Sequence, residues 1–344
     1  MRYFLGANTP DGFVSLYDQL ETGVPAERIW YIKGGPGNGK STFMKTLAAA
    51  AEAAGESVEM VFCSGDPASL DAVVLRKKRT VYVDATSPHV REPAIPGAVG
   101  RYLDLSAFYE PGVSGKRAEI ETLFGLYRAE YARCYDMMRA ASLCSPEPER
   151  DAAAVGEALA ASWCGENLES EGDPACRKLF LSALTCKGMV FFGDTLSGTG
   201  RVCTLEGPSG FAAAFLRRAV RECSSRGIAR IECPDPLCPK EPEALLLPGQ
   251  RLALLAVKEE RPWSGPVWRR IRPDVPDKAP EADFMKCREL RAGILEQAVA
   301  HLQSAKRYHD QLEELYRPYV IFRGISSLCR RHIRQLGYAP LPDT

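Results

Sequence analysis

Arg28-Ile29-Trp30-Tyr31-Ile32-Lys33-Gly34-Gly35-Pro36-Gly37-Asn38-Gly39-Lys40-Ser41-Thr42 is the stretch that decides the fold of this 344-residue chain. Arg28–Lys33 has the apolar character of a strand, and Lys40–Ala54 is alanine-rich and favours helix, with Gly55 placed to end it in a left-handed cap. Between them, Gly34–Ser41 fits the spacing G-x-x-x-x-G-K-[ST] of a phosphate-binding loop (P-loop), in the strand-to-helix position that loop requires. Its glycines let successive backbone N–H groups turn inward at the positive end of a helix, forming an anion nest. Gly34, Gly35, Pro36, Gly37, Asn38, Gly39, Lys40, Ser41 and Thr42 are therefore expected to bind a nucleoside triphosphate. Lys40 would reach the β- and γ-phosphates, and the Ser41 hydroxyl would face Mg2+.

Downstream, Val58–Cys63 and Thr80–Asp84 are short apolar runs suited to buried parallel strands. With a helix-like turn between them, the alternation predicts an α/β fold, a mostly parallel sheet flanked by helices. Asp84, at the end of its strand, is the expected metal carboxylate beside Ser41. Two residues could orient an attacking water. Asp66 follows the second strand, although Asp66-Pro67 is equally a turn signal. His89 lies in Ser87-Pro88-His89, where a loop histidine is equally a hydrogen-bonded one. Asp71 reads as structural. Arg91 and Arg101 are basic residues available to a lid, and Arg76-Lys77-Lys78-Arg79 reads as a solvated turn.

The chain repeats itself. Phe4–Gly12 returns at Phe180–Gly188, Arg28–Gly34 at Arg201–Gly207, Ala72–Leu75 at Ala244–Leu247, and Arg79–Val83 at Arg251–Leu255, in order and at a nearly constant offset. A tandem duplication follows, joined near Gly165–Pro174, with expected domains 1–174 and 175–344. Each carries an appended helical hairpin: Lys116–Leu143 with Asp151–Cys164, then Asp283–Tyr316 with Tyr319–Leu336. The second glycine loop, Glu206-Gly207-Pro208-Ser209-Gly210-Phe211, has no lysine, and Ala256 aligns with Asp84. The second domain is therefore expected to keep the fold without binding Mg-nucleotide, and to cover or regulate the first site. Arg217, Arg218 and Arg251 are its candidate arginine fingers.

The composition is globular, 45% hydrophobic and 26% charged, and 44 basic residues balance 44 acidic ones. No global basic field points to nucleic acid or anionic lipid. The N-terminus lacks a signal-peptide pattern and no apolar run spans a bilayer, so a cytoplasmic location without a membrane partner is expected. Twelve cysteines then act mainly as small hydrophobes, and Cys233-Pro-Asp-Pro-Leu-Cys238 lacks the second pair of a zinc site.

Gly34–Thr42, Cys63–Asp71 and Asp84–His89 together resemble the G-G-P-G-x-G-K-S-T, C-S-x-D-x-x-S-L-D and D-x-T-x-P-H segments of uncharacterised bacterial tandem P-loop proteins, described as ATPases. The resemblance spans both halves, but the second departs from that family's frequent second lysine-containing loop. It implies two P-loop NTPase-like domains, the second degenerate, with ATP and Mg2+ as ligands. The loop also looks like that of AAA-type ATPases, which place Glu after the metal Asp where this chain has Ala85. No guanine-reading Asn-Lys-x-Asp is present. The expected function is a Mg-dependent ATPase coupling hydrolysis to conformational change on behalf of an unidentified protein or small-molecule partner, as a monomer with an internal pseudo-dimer. A small-molecule or nucleotide kinase and a nucleotide-gated adaptor are the alternatives.

Overall fold

The computed structural model describes residues 1–22, 26–86, 90–93, 95–144, 150–208, 210–274 and 282–340. The first half of the chain runs β1 (Arg2–Phe4), β2 (Gly6–Thr9), β3 (Gly12–Ser15), α1 (Gln19–Thr22), β4 (Arg28–Lys33) and α2 (Lys40–Ala53). It continues with β5 (Val58–Phe62), β6 (Leu70–Leu75), β7 (Thr80–Asp84), β8 (Gly100–Asp104), α3 (Arg117–Leu143) and α4 (Arg150–Asn167). The second half repeats the series: β9 (Cys176–Lys178), β10 (Ser182–Thr185), β11 (Gly188–Phe191), α5 (Asp194–Ser197), β12 (Arg201–Leu205) and α6 (Phe211–Ser225). Then follow β13 (Arg230–Asp235), β14 (Cys238–Leu247), β15 (Leu252–Ala256), β16 (Arg269–Ile271), α7 (Ala282–Tyr316) and α8 (Phe322–Gln335).

Two mixed sheets with matching strand order result, β5-β6-β7-β4-β8 and β13-β14-β15-β12-β16. In each, β4 or β12 pairs in parallel with both neighbours, and only β6 or β14 runs against the rest. The expected helix-like turn between Val58–Cys63 and Thr80–Asp84 is thus a strand. All six residues of Leu70–Leu75 are buried, and their β-branched and aliphatic side chains suit a central position. Arg76–Arg79 then forms the exposed turn into β7. Details of the duplication recur in the backbone. Arg79 (φ 48°) and Arg251 (φ 50°) are the two non-glycine residues with positive φ among those described. The β2–β3 and β10–β11 hairpins carry the same turn, in which Thr9 or Thr185 Oγ1 bonds the carbonyl of Gly12 or Gly188. α2 ends as expected at Gly55 (φ 73°), where Glu56 N–H bonds Ala51 O and Gly55 N–H bonds Glu52 O. α6 ends in the same way at Gly227.

The chain forms two compact units that cut across the halves 1–174 and 175–344. One comprises Met1, Leu20–Ala132 and His301–Thr344; the other comprises Arg2–Gln19 and Arg133–Ala300. The hairpin helices explain the difference. In the first unit the apolar face of α8, Ile325, Leu328, Cys329 and Ile333, shares a core with Phe43, Leu47, Ala50 and Ala51 of α2. In the second unit α4 supplies Ala160, Trp163 and Cys164 to the core around Phe211, Phe215 and Cys223 of α6. Each buried aliphatic side chain of α8 contributes roughly 1.5–3 kcal/mol of transfer free energy, so the helix follows its apolar partner and not its own repeat. No helix among the described residues is long and apolar enough to cross a membrane.

Candidate functional site

Pairing of β4 with β7 sets Ile32 opposite Asp84, so the Asp84 carboxylate and the loop that follows Lys33 emerge at one end of the sheet. Lys40 Nζ lies 3.7 Å from Asp84 Oδ2 and donates to the carbonyls of Gly34 (2.8 Å) and Gly35 (2.9 Å). Asp84 Oδ1 accepts from the Thr86 amide and hydroxyl, which fixes the carboxylate. Ser41 Oγ, one residue into α2, accepts from the Leu70 amide at 2.9 Å. That leaves its own proton and a second lone pair available.

α2 begins uncapped. Gly39 (φ 83°) offers no side chain to its first amides. Among the described residues no backbone carbonyl accepts a hydrogen bond from the amides of residues 39–42. Unsatisfied amides at a helix start, with a lysine in the same loop, are groups that could hold an anion. Asn38 adds two further polar atoms, because its side chain is fully buried and neither amide atom makes a hydrogen bond of good geometry. It packs over Gly34 (φ 154°), where a Cβ would stand 1.7 Å from Asn38 Nδ2. Tyr109 caps the loop from outside, accepting from the Gly35 amide at 2.9 Å.

Thr42 and Pro36 lie in the same turn and helix start. Asp66 is drawn in two directions: it accepts from Ala68 N–H at 3.0 Å, as a turn residue does, and faces Lys306 Nζ at 3.6 Å. Asp71 is buried in β6, where its charge adds to burial in pushing the Cys63 thiol up. His89, with Ser87 and Pro88, lies outside the described residues. Arg91 faces Glu21 at 3.9 Å, and Arg101 stacks over Trp30 at 5.9 Å.

The second repeat differs at the corresponding positions. Leu205 lies opposite Ala256, as Ile32 does opposite Asp84. The loop from Gly207 to Gly210 is two residues shorter than that from Gly34 to Gly39. Phe211 takes the place of Lys40 at the helix start, fully buried in the apolar core. Further along the sheet end, buried Arg261 bonds Asp235 (2.7 Å) and Glu243 (2.7 Å), closing the position that Asp71 holds in the first repeat. Burial alone would raise Asp235, but Arg261 and Lys258 outweigh it and hold the carboxyl well below its usual range.

The candidate arginine fingers are tied elsewhere. Arg217 pairs with Glu241 and Arg218 with Glu222, while Arg251 turns the chain between β14 and β15. Cys233 is buried, and that burial pushes its thiol up, whereas Cys238 is exposed.

The sequence reading has α7 as a hairpin helix but not its place beside the loop. Its segment 306–316 flanks the loop: a Cβ on Gly37 would meet Glu313 Cα at 3.0 Å, and one on Gly35 would meet the Tyr316 ring at 3.3 Å. Lys306 bonds Asp310, and His309 Nδ1 stands 3.6 Å from Glu313 Oε1. The i, i+3, i+4 spacing of these four polar residues inside a long helix was the available signal.

Compared with known proteins, the chain matches no family profile, no curated protein and no solved structure.

Proposed function

We propose that the protein is an ATP-binding P-loop protein that hydrolyses ATP slowly with Mg2+. The observation that carries this reading is the set of amides at residues 39–42 without a backbone partner, beside Lys40 and Asp84. Lys40 is held by two loop carbonyls and one carboxylate, contacts that a triphosphate would exchange for stronger charge-assisted ones. The nest and lysine would hold phosphate oxygens, and buried Asn38 would keep the loop in shape. Ser41 and Asp84 would hold Mg2+, which when bound neutralises phosphate charge. The shortened loop, Phe211 and Ala256 leave the second repeat without these parts, so one nucleotide per chain is expected.

The test combines equilibrium ATP binding with phosphate release for wild type, Lys40→Ala and Asp84→Asn. Lys40→Ala should abolish binding. Asp84→Asn should raise the Mg2+ requirement by roughly 10- to 100-fold. Binding without phosphate release would remove the ATPase reading. Phosphate transfer to an added acceptor would then identify a kinase, and binding alone an adaptor.

A further inference from the structure

Ala85, buried directly after Asp84, leaves a hydrolytic site without a carboxylate at the position that would take the proton of an attacking water. α7 carries a substitute. Its polar face brings His309 and Glu313 together at 3.6 Å, with Glu313 lying along Gly37 at the tip of the loop. Lys306 links the same face to Asp66 at 3.6 Å. His309 is only half-buried, and its ring lies 6.0 Å from that of Tyr127 in α3.

The charged groups around His309 are Glu313, Asp310 and Lys306 on α7 and Lys40 on α2. Burial, then Lys306 and Lys40, lower its basicity against the opposing pull of Glu313 and Asp310. That shift favours the neutral imidazole. Glu313 Oε1 faces Nδ1 at 3.6 Å; closing that gap into a hydrogen bond would leave Nε2 as the proton acceptor, the arrangement in which a carboxylate orients a histidine base. Ligand atoms of His309, Asp310 and Glu313 lie within 4.8 Å of one another, but Lys306 already bonds Asp310. A cation of the protein itself thus occupies the cluster, which favours a base over a metal centre.

We propose, resting on the ATPase reading, that His309 oriented by Glu313 is the general base of hydrolysis, supplied by the second repeat to the loop of the first. The water oxygen bonds to the γ-phosphorus as the bond from that phosphorus to the β–γ bridging oxygen breaks. The bridging electron pair leaves with ADP, the water proton passes to His309 Nε2, and the imidazolium returns it to solvent.

Nucleotide binding and single-turnover phosphate release by the full chain separate this proposal from its premise. His309→Gln should bind ATP within about threefold of wild type and release phosphate on the order of a hundredfold more slowly. Glu313→Gln should lower kcat about tenfold with KM unchanged, and Glu313→Asp should restore part of it. Wild-type phosphate release by His309→Gln would overturn the base while leaving the ATPase. Loss of binding together with release would make His309 a binding residue and also overturn it. A wild type that binds ATP without releasing phosphate removes base and ATPase together, while Lys40→Ala still reports the nucleotide site.

Discussion

At Gly34 the room for a side chain is already taken by Asn38, 1.7 Å from where a Cβ would stand. Gly34→Ala should therefore weaken ATP binding at least tenfold while costing only about 1–3 kcal/mol of stability. Equilibrium binding and thermal unfolding of the variant check both halves of that statement. A second residue reports on pH. His332 of α8 is packed among Trp30, Phe43 and Tyr82, 3.0 Å from the Tyr82 hydroxyl. Burial, then Arg331 and Arg28, push its pKa down to about 4. The unfolded chain binds that proton near the ordinary histidine value of about 6.5, so stability is full above that pH and falls as the pH drops towards 4. The expected loss is about 3 kcal/mol, read as a falling unfolding midpoint that His332→Gln largely flattens. The approach of Lys40 to Asp84 was legible because one starts a helix and the other ends a strand that short apolar runs mark. The partner of His332 was not, since Tyr82 and His332 stand 250 positions apart.

Among the elements, β4, β5, β7 and α2 follow from apolar runs and a glycine cap that can be read in a few residues. β6 does not, because a short buried run has no periodicity to separate strand from turn, and only its sheet neighbours decide. The hairpin helices were readable as helices, but their packing partners were not: apolar faces are non-specific in sequence. The same holds for Arg261, whose two buried carboxylates come from β13 and from β14. Arg261→Ala leaves both without their main cation and should cost roughly 3 to 5 kcal/mol, measured by denaturant unfolding. Phe211→Lys should bring no second nucleotide to the protein, since the shortened loop and Ala256 remain; binding stoichiometry would show it.

For the whole molecule, the recurring strand order, turns and caps make the duplication visible twice, once in letters and once in backbone. The division into 1–174 and 175–344 is a division of sequence, whereas the compact units gather Leu20–Ala132 with His301–Thr344 and Arg2–Gln19 with Arg133–Ala300. The isolated segment 1–174 lacks α8 and leaves Phe43, Leu47 and Ala51 of α2 without their cover. It should be aggregation-prone and bind ATP poorly, and co-expression with 175–344 should restore soluble, binding-competent protein; sedimentation and nucleotide binding distinguish the two.

The placement of α7 and α8 also bears on where the chain can be divided. The loop at Gly34–Gly39 and segment 306–316, which packs on it, lie near opposite ends of the sequence. Separating the repeats at 174 therefore parts that loop from the helix that flanks it.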